Sequence, residues 1–288
     1  MIPEALARQN SVAPLLASLA AIIAKPGALP EPVLRAALQV LGQRVRVPSS
    51  GPTAQLLETA LAKSGVYLEA GLAKGAPAAD LKSGLVALKG ALTTFLGGNP
   101  APVTSAQQAS PPLRGLPPRA EPLDLPPLPD APRDAARALH GQADAALSRV
   151  KLMQLASLPD TDPTRPTSPE LRMEVPFLIG QELVMAQFQV FRDGARRQAE
   201  AKRGWTMRFA MNFAATGEVG AEIGLFGRAV NVALWAADAG TAANLEAALP
   251  ELAPALAALG LEPGAVRVRA LPPDAPKLAS GQYLDSRR

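Results

Sequence analysis

The chain has 288 residues, of which 48% are hydrophobic and only 4% aromatic, with no cysteine, one histidine and a formal net charge of +4. Disulfides, thiolate metal sites and cysteine nucleophiles are therefore excluded, and a lone histidine cannot form a His cluster for zinc or haem. The positive excess is small and diffuse, whereas nucleic-acid binding calls for a concentrated basic face. No run of eighteen apolar residues marks a membrane span, and no N-terminal segment reads as a cleavable signal peptide.

Residues 1–98 read as a small helical domain. Ser11 stands where a helix cap is needed, ahead of Val12, Leu15, Leu16, Leu19, Ile22 and Ile23, and Pro26-Gly27 ends that helix. Pro30-Glu31-Pro32 starts a second helix carrying Val33, Leu34, Leu38 and Leu41. A third follows Thr53 with Leu56, Leu57 and Leu61, and a short segment spans Val66 to Leu72. The last helix is the clearest, with Asp80 as its cap and Leu81, Leu85, Leu88, Leu92 and Phe95 on one face. Gly84 and Gly90 weaken it on propensity grounds. One apolar stripe per helix implies a compact bundle.

Residues 99–171 read as a Pro-rich linker interrupted by one helix. Eleven prolines between Pro100 and Pro132 deny this stretch helix and sheet ladders, so it is expected to be extended and semi-rigid. A helix over about 134–158 carries Leu139, Ala143, Ala146, Val150 and Met153. A second proline-rich break runs from Pro159 to Pro169.

Residues 172–270 change from helical to alternating periodicity. Val184-x-Ala186-x-Phe188-x-Val190, then Trp205-x-Met207-x-Phe209-x-Met211-x-Phe213, Val219-x-Ala221-x-Ile223-x-Leu225 and Val230-x-Val232-x-Leu234 each place apolar residues on one face only. Turns at Thr216-Gly217 and Phe226-Gly227 pair neighbouring strands as hairpins. Met173 to Ile179 offers a further strand, with Pro176 suggesting an edge. Leu245, Leu249, Leu252, Leu256 and Leu259 then stripe one helix, which Pro250 and Pro254 should bend or restart near Leu249. A last strand spans Ala265 to Arg269, and residues 271–288 read as a disordered tail. The fold class expected is α+β: an N-terminal helical bundle, a Pro-rich linker and a C-terminal two-layer antiparallel sheet with one proline-bent helix.

The order strand, Gly217-x-Val219-x-Ala221, hairpin partner, then Leu245-x-x-x-Leu249-Pro250-x-Leu252-x-x-x-Leu256-x-x-x-Gly260-Leu261 resembles the C-terminal domain of flagellar hook-length control proteins, the FliK family. Tyr283-Leu284-Asp285 followed by basic residues fits the same pattern. The chain departs at Phe213 and Thr216, where the family has proline and leucine, and at Ala253, where it has arginine. The resemblance implies a protein exported by the flagellar type III apparatus, without a cleavable signal, from the cytoplasm. It implies that the C-terminal domain contacts the cytoplasmic part of the export-gate switch protein, FlhB. That contact ends hook export and permits filament export, while the preceding region senses hook length; hook and hook-cap proteins are further partners. Stretched out, residues 1–171 would reach at most about 600 Å, and as continuous helix about 260 Å, so either form spans tens of nanometres.

On this reading Gly217, Val219, Ala221, Leu249, Pro250 and Leu252 form the partner-binding surface or its immediate support. The same alternation equally suits a plain core, and Gly217 suits a turn. The basic run Arg192, Arg196, Arg197, Lys202 and Arg203 suits a solvated hairpin tip, or binding of nucleic acid or an acidic partner surface, although no aromatic is interleaved for base stacking. No nucleophile, base and orienting group come together, so no catalytic residue, cofactor site or metal site is assigned and the chain is not read as an enzyme. His140, four residues before Asp144, reads as a surface contact. A basic α+β nucleic-acid-binding or assembly-scaffold protein is the alternative, and a controller of needle length in a virulence-type secretion system is a close variant of the first reading.

Overall fold

A computed structural model describes residues 2–25, 27, 29–75, 77–98, 100, 109–123, 127–158, 169–192 and 204–269. The tail from 271, the break from Pro159 to Ser168 and the basic run 193–203 lie outside the described residues. The elements in chain order are α1 (Ile2–Arg8), α2 (Ala13–Ile23), α3 (Glu31–Leu41), β1 (Val45–Val47), α4 (Ala54–Lys63), α5 (Leu68–Leu72), α6 (Leu81–Leu96) and α7 (Pro132–Ser157), followed by β2 (Glu170–Ile179), β3 (Glu182–Arg192), β4 (Trp205–Phe213), β5 (Gly217–Phe226), β6 (Ala229–Ala236), α8 (Ala239–Ala258) and β7 (Glu262–Arg269). The fold is α+β, with N-terminal helices and a seven-stranded sheet whose strands neighbour one another in chain order.

The chain divides into two compact units. The first comprises Met1–Pro111, Leu123–Leu155 and Met173–Met185; the second comprises Pro112–Pro122, Ala156–Arg172 and Ala186–Arg288.

The core of the first unit is built from the expected stripes: Leu15, Leu16 and Leu19 of α2, Val33, Ala37 and Val40 of α3, and Leu85, Leu88 and Leu92 of α6, all buried. Asp80 caps α6 by accepting from Ser83 N at 2.9 Å, and Ser83 Oγ returns a bond to the cap, completing a capping box. Thr53 caps α4 through Leu56 N at 3.2 Å. Ser11 does not occupy the cap position of α2; Val12 does, and Ser11 Oγ accepts from Ala13 N instead. Gly84, a liability on propensity, sits where a Cβ would press on Val40 Cγ2 at 3.3 Å, so the missing side chain lets α3 and α6 approach closely. α7 is not an isolated helix between proline breaks. Ala135, Ala136, Leu139, Ala143, Ala146 and Val150 join the same core. β1 pairs in parallel with β2, Val45 opposite Phe177 and Val47 opposite Ile179. β2 is therefore covered over its last three residues, and Pro176 sits just beyond the paired stretch, where its missing N–H breaks no bond to β1.

In the second unit the strands β3 to β6 are antiparallel neighbours, as the hairpin turns predict. The sheet is mixed rather than wholly antiparallel, because β7 runs parallel to β6. A helix connecting two adjacent strands of one sheet brings the chain back to its starting end, and α8 is that crossover. Asp238 caps α8, accepting from Thr241 N at 2.6 Å. The helix continues through Pro250 and Pro254 instead of restarting. Both prolines are exposed, so water can take the carbonyl partners that each proline cannot.

Candidate partner-binding site

The register defines two chemically distinct faces in the second unit. Pairings Phe188 to Phe209, Val190 to Met207, Met207 to Ile223, Met211 to Val219, Phe209 to Ala221 and Ala221 to Leu234 put only apolar side chains on one face. The opposite face carries Gln189, Thr206, Arg208, Asn212, Glu218, Glu222 and Trp235. α8 packs against β6 and β7, and its half-buried residues include Leu245, Leu249, Leu252 and Leu256, the expected stripe.

Cover on the apolar face is uneven. Val230, Val232, Ala236 and Ala221 are buried. Phe188, Val190, Met207, Phe209, Met211, Val219 and Ile223 are each only half-buried. The rings of Phe188 and Phe209 stand 6.0 Å apart, tilted by 43°, within this partly open stretch. The helix thus shields the β6 side and leaves the β3–β4 side of the apolar face less protected.

The polar face is partly covered. Residues 112–122 of the proline-rich stretch lie along it as a strap. Ala120 N donates to Glu218 Oε1 at 3.0 Å, Asn212 Nδ2 donates to the Ala120 carbonyl at 3.3 Å, and Arg119 pairs with Glu218 at 3.5 Å. Gly115 N donates to both carboxylate oxygens of Glu170, at 3.3 and 3.2 Å, and Arg172 Nη2 donates to the Leu116 carbonyl. Pro117, Pro118 and Ala120 are buried. Beneath, Glu170 Oε1 accepts from Arg172 Nε at 2.6 Å and from Gln189 Nε2 at 2.9 Å. Arg208 Nε donates to Glu222 at 2.7 Å, with its guanidinium 5.0 Å above the Phe191 ring. Trp235 is fully buried, and Gly220 opposite it has no side chain because a Cβ there would collide with the indole.

The six residues singled out from sequence fall into three environments. Ala221 is fully buried between Phe209 and Leu234. Gly217 opens β5 with φ of 70°, the left-handed conformation that suits glycine in the β4–β5 turn. Val219, Leu249 and Leu252 are half-buried and Pro250 is exposed. Among the described residues no group of three or more His, Asp or Glu side chains is placed to hold a metal ion. His140 is buried, its Nε2 lying 3.2 Å from Thr93 Oγ1, and so is no surface contact.

Residues 193–276 match the family model of the flagellar hook-length control protein FliK. The match takes in β4, β5, β6, α8 and β7, and leaves β2, β3 and the strap outside it. The hook-length control domain of this chain is thus its C-terminal region, which carries the apolar face and the leucine-striped helix. No curated protein and no solved structure matches the chain. A domain similar to that of the FliK family points to a part in the control of flagellar hook length. No single helix among the described residues is long and apolar enough to cross a membrane.

Proposed function

We propose that the C-terminal domain, residues 172–270, ends hook export by docking on the cytoplasmic domain of the FlhB-like export-gate switch protein, which then admits filament subunits. The hook-length control match across β4 to β7 is the observation that carries this reading. The half-buried Val219, Leu249 and Leu252, with exposed Pro250, supply the docking surface; Ala221 supports it from the core and Gly217 sets the turn beneath it. The chain is itself exported through the flagellar apparatus, and residues 1–171 report on hook length, in contact with hook and hook-cap proteins, as they are drawn out. The N-terminal unit is held by an Ala/Leu-rich core without disulfides, which suits a segment that must unfold to pass a narrow channel.

The test is deletion of residues 172–270 in the native flagellated host, with hook length and filament presence read by electron microscopy. Overlong hooks without filaments are the expected result. Hooks of normal length bearing filaments would refute the proposal. A Leu252→Asp variant narrows the outcome: it should lengthen hooks while the full chain is still secreted.

A further inference from the structure

Large apolar side chains left exposed are informative when they gather at one place. Trp205 is 46% exposed, Phe226 37% and Leu259 77%. The register brings all three to one end of the hook-length control sheet. Trp205 opens β4 opposite Leu225, and Phe226 is the next residue and closes β5. The ring of Phe226 lies over Gly204, where a Cβ would clash with it. Leu259 stands at the end of α8, three residues before Glu262 begins β7 beside Ala229. Glu262 N donates to the Arg228 carbonyl at 2.8 Å, which ties the α8–β7 turn to the β5–β6 turn.

The same end is basic. Arg192 is the register partner of Trp205, and its guanidinium stands 5.9 Å from the indole centroid. Its Nε is buried and has no hydrogen-bond partner among the described residues. Arg228 is highly exposed, and its nearest carboxylate, Glu262, is 3.9 Å away and equally exposed, a loose pair that leaves its donors available.

We propose that this end of the domain is a docking surface for an acidic protein face that offers an apolar pocket to Trp205 and Leu259. Trp and Arg are the side chains that most often dominate protein interfaces, the first by area and the second by fixed, charge-assisted geometry. Positive charge at the rim steers an acidic partner and makes association sensitive to salt. A single-stranded nucleic acid is a poorer fit. Base stacking needs aromatic platforms in succession on one side. Trp205 pairs with Leu225 while Phe226 is its neighbour in β5, so the two rings belong to opposite faces of the sheet. This inference rests on the reading of the domain as a docking module of the export apparatus, and it adds a surface distinct from Val219, Leu249 and Leu252.

The experiment measures binding of the full chain to the purified cytoplasmic domain of the host's export-gate switch protein, by titration calorimetry at low and high salt. Trp205→Ser and Leu259→Ser should weaken binding about tenfold or more each. Arg228→Glu should weaken it several-fold at low salt and flatten the salt dependence. Leu259 and Arg228 are exposed, so their variants should keep the wild-type melting curve and serve as the folding-independent arms. Wild-type affinity in all three variants refutes this surface while leaving the docking reading intact. Failure of the unaltered chain to bind the switch domain refutes both. Tight binding of a single-stranded RNA oligomer that the same variants abolish would assign the surface to nucleic acid and overturn the proposal.

Discussion

Arg149 of α7 and Glu174 of β2 form a fully buried ion pair, Nε to Oε1 at 2.6 Å. The remaining guanidinium donors are used as well: Nη1 reaches Gln9 Oε1 at 2.6 Å and the Ser110 carbonyl at 3.0 Å. A charge in such a place is tolerable only because every partner is present. Arg149→Ala strands the Glu174 carboxylate in the interior and should lower the stability of the first unit by about 3–5 kcal/mol. The pair of changes Arg149→Met and Glu174→Leu removes both charges and should recover most of that loss. Urea titrations followed by far-UV circular dichroism check both. Equal destabilisation by the single and double variants would show that packing, and not the stranded charge, is at stake.

Much of this architecture is legible from residue pattern alone. Leu81, Leu85, Leu88 and Leu92 recur at helical spacing and are all buried, and the alternation from Trp205 to Leu234 translates into register. What escapes is what has no period. The three residues of β1 are too few to alternate, and α1 carries no buried residue to betray it. Glu170 and Glu218 look like ordinary surface carboxylates in sequence; only the fold shows them receiving the backbone of a proline-rich segment. Gln189 and Thr206 occupy the polar face yet are buried, because the alternation identifies a face but not what lies on it. At the candidate site the pattern separates stripe from turn, but not core from surface: Ala221 and Val219 share a face and differ in burial. The exposed ends of strands, such as Trp205 and Phe226, read in sequence as two more apolar residues in alternating runs.

The strap depends on Glu218. Its carboxylate accepts from Ala120 N and pairs with Arg119, while Asn212 holds the neighbouring carbonyl. Glu218→Ala leaves a part-buried N–H without its acceptor, a loss of about 1–3 kcal/mol. The strap should then open more often, and trypsin should cut after Arg119 faster than in the wild-type chain, with little change in the cleavage rate elsewhere. Mass spectrometry of timed digests measures it, and an unchanged rate after Arg119 would count against Glu218 as the anchor.

Gly220 and Trp235 make a second point of close fit. A methyl group at 220 meets the buried indole and the Phe209 carbonyl. Gly220→Ala should destabilise the hook-length control domain by about 1–3 kcal/mol through overpacking. Trp235 is buried and Trp205 exposed, so their emission should be separable. In a Trp205→Phe background the remaining emission reports Trp235, and Gly220→Ala should shift it to longer wavelength as the indole is pushed from its seat. Unaltered emission together with unaltered stability would contradict the close approach.

His140 links the first unit to pH. Burial, reinforced by the nearby Lys89, holds its imidazole below the ordinary value against the pull of Asp144. Asp144 is itself engaged by Lys89, so its charge is already shared. The unfolded chain, with an ordinary histidine near 6.5, therefore binds a proton more readily than the folded one. The stabilising effect of keeping the ring neutral is present above about pH 6.5 and is lost progressively as pH falls through the lowered folded value. His140→Gln can keep a hydrogen bond to Thr93 Oγ1 but cannot titrate. Denaturation midpoints measured from pH 8 to pH 5 should decline less steeply in this variant than in the wild-type chain. Parallel curves would mean that His140 carries no part of the acid sensitivity.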